Sequence, residues 1–403
     1  MSRPFEGVRI VDTTHVLAGP FCTYQLALLG AEVIRVETTD PSRVDMTRSQ
    51  GGIPELNDQG MGTSFLGQNA NKRSIAIDLK NQEGKKILSA LIAKADVMVE
   101  NFRPGVMERL GFGYQDAVAL NPTIIYASLT GYGQTGPLAH APVYDHIMQA
   151  ASGLMSLAGT ADQARRIPFP LIDYAAGLAG AFAVSSALFQ RTHTGKPQRI
   201  DSSMLDAALL LMTSGISQVT TTGDVIRPKG NLAASGSPFS GFFETQSGIL
   251  SVTANTVDQA RHLCDTIERP DIMDDPRHAN WGKHPELASE LTPLLSGILA
   301  NRTAVEWEEL FARAGVPAAY VRDLPEVLAH PQTQMRDSIL PAGPMAGLPG
   351  ELKVPGVTFT LEHGGAKVTS APPRLGEHTD DILEELGMGA DERARLRQSG
   401  AVA

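Results

Sequence analysis

Asp173 is the residue of this sequence whose surroundings most favour covalent chemistry. It follows a proline-containing segment, residues 167–171, and precedes an apolar run, residues 178–191, whose composition predicts a buried helix. A carboxylate at a helix N-terminus is stabilised in its ionised form by unpaired amides and by the helix dipole. Such a carboxylate can serve as an N-cap or as a nucleophile. Residue preference at helix starts favours the cap, and the residues alone leave the nucleophile open.

Several basic residues stand near predicted strand ends or at a helix start, where they could hold phosphate groups. They are Lys72, Arg73, Lys80, Arg103 and Arg109. Cations and amides at strand ends bind phosphates through charge-assisted hydrogen bonds. Taken singly, each is better explained as a solvated surface charge. Their common position at one edge of the predicted sheet keeps phosphate binding open.

Composition argues against several classes of function. The chain has 403 residues and a formal net charge of -10, so non-specific binding of nucleic acid is not expected. Cys22 and Cys264 indicate neither a disulfide framework nor a zinc cluster, and no His/Cys/Asp group has metal-ligand spacing. The first residues lack the apolar core of a signal peptide, and the sequence has no run of about 20 apolar residues. We therefore predict a cytoplasmic protein that binds no membrane and no metal.

Alternating strand and helix patterns predict the fold that would position these side chains. A strand at residues 8–11, a helix at 21–29 and a strand at 32–37 make a βαβ unit with a parallel sheet. The loop 14–19 then lies at the carboxyl end of the first strand, where open α/β sheets bind ligands, although it has no GxGxxG fingerprint. The alternation continues to residue 130, which predicts an α/β protein with a Rossmann-like, doubly wound parallel sheet.

A change of composition after the second apolar helix predicts a division into domains. We assign residues 1–224 to the large Rossmann-like domain, residues 225–325 to a smaller α+β domain, and residues 326–403 to a C-terminal segment that returns to the large domain. The segment 220–240 is rich in Thr, Gly, Ser and Pro, which is typical of a linker or an active-site loop. The C-terminal segment lacks a core of its own and must pack on something else.

Short motifs in collinear order over nearly the whole chain resemble one enzyme family. They include Gly7-Val-Arg-Ile-Val-Asp12, His15-Val-Leu-Ala-Gly-Pro20, Leu29-Gly-Ala-Glu-Val-Ile-Arg-Val-Glu37, Asn71-Lys-Arg-Ser74, Val99-Glu-Asn-Phe-Arg-Pro-Gly105, Gly131-Tyr-Gly-Gln-Thr-Gly-Pro137, Tyr144-Asp145, Asp173 with Gly177, Arg191-Thr-His-Thr-Gly195, Met204-Leu-Asp206 and Leu375-Gly-Glu-His-Thr-Asp380. No one motif suffices, but together they resemble the class III CoA-transferase family (CaiB/BaiF type), with formyl-CoA transferase nearest in pattern.

The resemblance implies a specific reaction at Asp173. In these transferases an aspartate at this position attacks an acyl-CoA thioester, and an aspartyl-CoA thioester then carries CoA to a small carboxylic acid. The resemblance also implies an interlocked homodimer, CoA as part of the substrate, a short acyl-CoA donor such as succinyl-CoA, and a CoA-binding role for residues 1–224. The CoA-binding positions that carry over are Val16, Leu17, Ala18, Lys80, Asn101, Phe102, Arg103, Arg109, Tyr144 and Asp145.

Some positions depart from the pattern of formyl-CoA transferase. Thr38 and Pro142 replace CoA-contacting basic residues, Leu17 replaces a glutamine near the nucleophile, and Gln50 replaces a pocket tryptophan. The mobile glycine loop of that enzyme is represented only by residues 233–238. The acids exchanged therefore stay open, and a small di- or hydroxycarboxylate is the expectation.

Two other functions remain as alternatives. A racemase of the α-methylacyl-CoA type needs titratable groups on both faces of the α-carbon, and Tyr144 and Asn255 stand where that branch has a histidine and a glutamate. His146 and His15 are weaker candidates for such a base. The other alternative is a non-catalytic acyl-CoA-binding protein, against which the presence of Asp173 argues.

Overall fold

A computed structural model describes residues 2–160, 163–226, 228, 235–344 and 350–403. Ala233 and Ala234, which begin the predicted glycine loop, lie outside the described residues. The strands, in chain order, are β1 (Arg9–Asp12), β2 (Glu32–Glu37), β3 (Lys72–Ala76), β4 (Val97–Glu100), β5 (Ile125–Thr130), β6 (Gly159–Thr160), β7 (Gln163–Ala164), β8 (Gln198–Ser203), β9 (Gly241–Glu244), β10 (Ile249–Val252), β11 (Ala318–Tyr320), β12 (Ile339–Pro344) and β13 (Glu351–Pro355).

Helices lie between the strands along the described parts of the chain. They are α1 (Ala18–Leu28), α2 (Pro54–Asp58), α3 (Thr63–Leu66), α4 (Gln82–Ala93), α5 (Val106–Leu110), α6 (Tyr114–Leu120), α7 (Asp145–Ala151), α8 (Leu154–Leu157), α9 (Leu171–Thr194), α10 (Met204–Leu211), α11 (Thr213–Thr222), α12 (Val257–Thr266), α13 (Leu287–Leu299), α14 (Ala304–Arg313), α15 (Leu324–Ala329), α16 (Pro331–Met335), α17 (Thr379–Glu385) and α18 (Ala390–Gln398). Short 3-10 helices lie at Pro41–Arg43, Met46–Ser49, Pro270–Asp274 and Pro276–Lys283.

Six parallel strands form the central sheet, in the spatial order β3-β2-β1-β4-β5-β8. The chain adds strands outward on one side of β1 and then begins again on the other side with β4. This is the Rossmann strand order, and ligands in such sheets bind where the order reverses, outside the carboxyl ends of the strands. The predicted α/β fold with a parallel sheet is confirmed.

Helices cover both faces of this sheet. On one face α1 and α9 contribute Cys22, Leu26 and Val184 to a core that includes Val99 and Ala127 of the strands. On the other face the core is built from residues of α4, α6, α17 and α18, namely Ile87, Leu91, Ala117, Leu383 and Leu396. Burying both faces explains why consecutive residues of the central strands, such as Ile10 and Val11 of β1 and residues 97–99 of β4, are apolar and buried.

Contacts divide the chain into two compact units. The first comprises Met1–Leu154, Arg166–Asp224 and Pro331–Ala403, and the second comprises Met155–Arg165 and Val225–His330. In the second unit a three-stranded antiparallel sheet, in the order β11-β10-β9, shares a core with α12, α13 and α14. This mixture of antiparallel strands and helices gives the smaller α+β part that we expected. The domain limits drawn from the sequence stay a prediction.

Helix α9 begins earlier than its apolar pattern predicts. It starts at Leu171 rather than at 178, with Pro170 at the N-cap position, and the Asp145 side chain accepts hydrogen bonds from the amides of its first turn. Its 24 residues are long and apolar enough to cross a bilayer by length and composition alone. In this fold, however, α9 packs along α1, β5 and β8, and its buried face belongs to the core.

Glycines let α9 approach α1 closely. A Cβ at Gly177 would lie 2.7 Å from the carbonyl oxygen of Ala18, and a Cβ at Gly180 would lie 2.7 Å from Cδ2 of Leu129. Larger side chains at either position would push the helix away from its neighbours. This contact fixes the first turn of α9 against the start of α1.

Ion pairs link the strands β1, β2 and β3 of the central sheet. Lys72 Nζ contacts Asp12 Oδ2 at 3.0 Å, and neither side chain is exposed. Burial lowers the pKa of Lys72 to about 8, partly offset by Asp12. Lys72 is thus not one of the available phosphate-binding cations considered above. Arg73 is also engaged, because its guanidinium pairs with Glu32 and Glu385.

Removing one member of the buried pair should destabilise the fold strongly. Lys72→Met leaves the Asp12 carboxylate buried without its cation, so we expect a loss of about 3–5 kcal/mol in the free energy of unfolding. Chemical denaturation measures this loss. Lys86→Met is the matched control, since Lys86 pairs with Glu83 on the surface, and its effect should stay within about 1 kcal/mol. Equal losses in the two variants would contradict the assignment of Lys72 to a buried pair.

Candidate active site

Two cavities lie beside each other at the carboxyl ends of the strands, where the order of the sheet reverses. The inner cavity, about 260 Å³ in volume, is lined by residues 15–18, 101–104 and 141–144 together with Leu129, Ala139, Asp173 and Met204. The outer cavity, about 360 Å³, is lined by Thr13, His15, residues 36–38 and 77–80, Asp40, Arg43, Phe102, Val106 and Leu110. His15 and Phe102 line both cavities, and their rings meet edge to face at 4.9 Å.

The loop between β1 and α1 is held in a strained conformation by side chains from other elements. Val16 has a φ of 65°, which is rare for a β-branched residue. Asn101 accepts a hydrogen bond from the His15 amide and donates one to the His15 carbonyl, both at 2.8 Å. Asp45 accepts from the Val16 amide at 3.0 Å, and Gln68 donates to the Val16 carbonyl at 2.8 Å. Strain that surrounding groups enforce in this way is characteristic of functional sites.

Asp173 lies in the first turn of α9 and points into the inner cavity. Its residue is 9% exposed, and burial together with the nearby Asp145 carboxylate raises its pKa to about 7. Burial and a like charge thus oppose the helix terminus, and the carboxyl is less readily ionised than its position in the helix alone would predict. The N-cap interpretation is wrong, since Asp173 is the third residue of the helix.

Asp145 caps the helix instead. Its carboxylate accepts hydrogen bonds from the amides of Ile172 at 2.7 Å and Asp173 at 3.1 Å. The remaining amides of the turn, those of Leu171 and Tyr174, donate to backbone carbonyls. No hydrogen bond to the Asp173 carboxylate is found among the described residues. The carboxylate that faces the cavity is thus not engaged in holding its own helix.

The start of α1 lies at the wall of the inner cavity. Leu17 occupies the N-cap position, makes no side-chain capping hydrogen bond, and is followed by a first turn without acidic residues. Leu17 and Ala18 line the cavity together with Asp173. An uncapped helix start offers hydrogen-bond donors and a partial positive charge to a neighbouring anion.

The structure brings most of the predicted site residues to these cavities. The inner cavity collects Val16, Leu17, Ala18, Asn101, Phe102, Arg103, Tyr144 and Asp173. Lys80 lines the outer cavity. Arg109 and Asp145, which we had grouped with the CoA-binding residues, line neither cavity. Arg109 extends from α5 next to Gly105, and Asp145 is buried beneath the start of α9.

The sequence analysis missed the residues that support the site from behind. Asp45 and Gln68 hold the loop at Val16 although they come from the irregular segment between β2 and β3. Gln149 is buried and donates to Asp145 at 2.6 Å. Of these contacts, only the one between Gln149 and Asp145 could have been predicted from the sequence, because the two residues are four positions apart on one helix face.

Comparisons with known proteins agree with the geometry. Residues 5–379 match the model of CoA-transferase family III. An acetyl-CoA:oxalate CoA-transferase of Acetobacter aceti is 37% identical over 388 residues, which cover 95% of this chain and 96% of that protein. A succinyl-CoA:glutarate CoA-transferase of Mus musculus is 35% identical, with 99% and 90% covered. The crystal structure of a CAIB/BAIF family protein from Brucella suis superposes with a TM-score of 0.84 at 28% identity, covering 96% of this chain and 100% of that one. With its Rossmann-ordered sheet and a match over most of its length, the chain belongs to CoA-transferase family III.

Proposed function

We propose that this CoA-transferase moves CoA from a short acyl-CoA donor to a small carboxylic acid through a covalent aspartyl-CoA thioester on Asp173. The observation that carries the proposal is the placement of one buried carboxylate, free of structural hydrogen bonds among the described residues, in the inner cavity. The outer cavity adjoins it at His15 and Phe102, so one extended ligand can occupy both. CoA is such a ligand, with a nucleotide at one end and a thioester at the other.

The proposed reaction begins with attack of an Asp173 carboxylate oxygen on the thioester carbonyl carbon. The thiolate of CoA leaves with the bonding electron pair, and a mixed anhydride forms. The thiolate then attacks the Asp173 carbonyl carbon, which expels the donor acid as its carboxylate and leaves the aspartyl-CoA thioester. The acceptor carboxylate repeats these steps in reverse order. Covalent catalysis of this kind divides one difficult exchange into easier steps.

The amides at the start of α1 are the proposed stabilisers of the tetrahedral oxyanions. Leu17 and Ala18 line the same cavity as Asp173, whose carboxylate has no hydrogen bond of its own in the described residues. Asn101, Asp45 and Gln68 fix the loop that precedes the helix. Donors that are fixed before the reaction stabilise developing charge without the cost of reorganisation. This role needs no side chain at Leu17, which explains how the chain can lack a glutamine there.

The acids exchanged are proposed to be small, with a dicarboxylate as acceptor. The relatives named above act on oxalate and glutarate. The inner cavity of about 260 Å³ is small, and Arg103 provides a cation at its wall. A second carboxylate on the acceptor would pair with such a cation.

The covalent intermediate is the most direct test of this function. When the protein is mixed with succinyl-CoA, intact-mass spectrometry should detect a covalent CoA adduct, and peptide mapping should place it on Asp173. Added glutarate or oxalate should discharge the adduct. Asp173→Asn should form no adduct and lose CoA exchange by at least about a thousandfold, since it removes the nucleophile. Exchange that persists in Asp173→Asn would contradict the mechanism.

Binding of the CoA nucleotide is the second test. Lys80→Met should raise KM for the acyl-CoA about tenfold and leave kcat nearly unchanged, because a phosphate contact far from the reacting bond stabilises substrate and transition state equally. Initial rates at varied acyl-CoA concentration measure both constants. Lys86→Met, on the exposed face of α4, is the control and should leave both constants unchanged. An unchanged KM in Lys80→Met would show that the lysine does not contact CoA.

We also propose that the protein acts as a homodimer in the cytoplasm. Helices α9 and α10 expose large apolar side chains, with Phe182 75%, Phe189 69% and Leu210 70% exposed. Apolar surface of this kind is typical of a face that a protein partner covers. Light scattering should give twice the chain mass, and Phe182→Glu combined with Leu210→Glu should shift the protein towards the monomer. If the natural protein is a monomer in solution, the proposal of a homodimer is wrong.

A further inference from the structure

The carboxylate of Asp145 connects the proposed nucleophile to the rest of the fold. Asp145 is the first residue of α7, its residue is 8% exposed, and one of its oxygens, Oδ2, accepts both amide hydrogen bonds from the start of α9. One of these amides belongs to Asp173 itself. The position of the nucleophile backbone therefore depends on a side chain that is 28 residues away in sequence.

Gln149 holds the other oxygen of Asp145 and extends the connection. Its amide group donates to Asp145 Oδ1 at 2.6 Å and to the carbonyl of Ile167 at 3.1 Å, and its oxygen accepts from the Ile167 amide at 2.9 Å. Gln149 is 1% exposed. The pair Asp145–Gln149 thus fixes the segment that leads into α9 as well as its first turn.

Asp145 also acts on Asp173 through its charge. Asp145 accepts three hydrogen bonds, which are the contacts of an ionised carboxylate, while none is found on the Asp173 carboxylate among the described residues. Burial first and Asp145 second raise the pKa of Asp173. A like charge close to a buried carboxyl disfavours its ionised form, so the neighbouring Asp145 makes Asp173 harder to ionise.

Neither His15 nor Asp206 offsets this charge. Burial lowers the pKa of His15, so the imidazole is neutral at pH 7. In α10, Asp206 accepts a hydrogen bond from the Ser203 hydroxyl. The remaining titratable groups near the carboxylate are Arg103 after β4, Tyr144 before α7 and Tyr174 in α9.

We propose that Asp145 is a positioning residue for the transfer reaction, which holds Asp173 in place through the first turn of α9 and tunes its reactivity through a fixed negative charge. The inference rests on the proposed function of Asp173. It assigns Asp145 a role that is distinct from contact with CoA.

The charge of Asp145 affects which carbonyl carbon of the mixed anhydride is attacked. CoA thiolate can attack either carbonyl carbon of the anhydride, and the less basic carboxylate is the better leaving group. An ordinary carboxylic acid has a pKa of about 4–5, so it leaves more readily than Asp173. Attack at the Asp173 carbonyl is then favoured over return to the starting thioester. Asp145 thus biases the anhydride towards the aspartyl-CoA intermediate.

The pH dependence of kcat/KM tests this role. In the natural protein the rate should fall on the acid side with a midpoint near pH 7, because only ionised Asp173 is a nucleophile. Asp145→Asn keeps an oxygen acceptor and removes the charge, so the midpoint should move down by about one pH unit. The yield of covalent adduct above pH 8 should fall as well. A purely structural role would lower kcat without moving the midpoint.

Matched variants make the comparison decisive. Asp145→Glu keeps the charge and should keep the midpoint near pH 7. Asp323→Asn changes the capping aspartate of α15 and should leave both the midpoint and the adduct yield unchanged. If Asp145→Asn melts below the assay temperature, Asp145→Ser provides a second neutral variant. If neither neutral variant folds, carbon NMR can follow the titration of the Asp173 carboxyl in Asp145→Glu and in the natural protein. The pH midpoint of this titration must then be raised equally in the two proteins.

The outcomes separate this inference from the function on which it rests. An unchanged midpoint in a folded neutral variant that still forms the adduct overturns the role of Asp145 and leaves the nucleophile standing. Absence of an adduct in the natural protein overturns the proposed function itself.

Discussion

The close contact between α1 and α9 is the constraint on which the candidate site depends. The two helices bring together a loop that follows the first strand of the sheet and a carboxylate more than 150 positions later in sequence. Gly177 makes the contact possible, since even a methyl group would meet the Ala18 carbonyl. Because Ala18 and Asp173 line the same cavity, a shift of one helix would separate the proposed nucleophile from the start of α1.

A second constraint is the burial of charge behind the site. Arg35 and Asp45 form a fully buried pair at 2.6 Å, and Asp45 also accepts from the strained Val16. Glu37 joins Arg48 at 2.6 Å. Such pairs add little net stability but are costly to break, so they specify one arrangement of the irregular segment between β2 and β3. The binding loop is thus held in one conformation by buried charges that lie behind it.

The sequence predicts the parallel sheet well because the sheet depends on local patterns, and it draws attention to Asp173, which lines the inner cavity. Alternating strands and helices give the parallel fold, and the motif around Asp173 and Gly177 identifies the carboxylate by resemblance. The sequence analysis missed the start of α9 because Asp145, the residue that caps this helix, is distant from it in sequence. The sequence analysis grouped Lys72 with exposed cations, because the residues next to it in sequence do not reveal that distant segments bury it. The protonation behaviour of Asp173 likewise depends on tertiary burial rather than on its helix position.

The return of the C-terminal segment to the sheet has a consequence for how the protein becomes functional during synthesis. The Asp78 amide donates to the Ala401 carbonyl, and Ile77 pairs with Val402. Residues 77–80 form part of the wall of the outer cavity. A nascent chain that ends after the strands of the central sheet lacks the C-terminal residues that contact this wall. The outer cavity is therefore expected to take its final shape late in synthesis, after the ribosome has released residues 401 and 402.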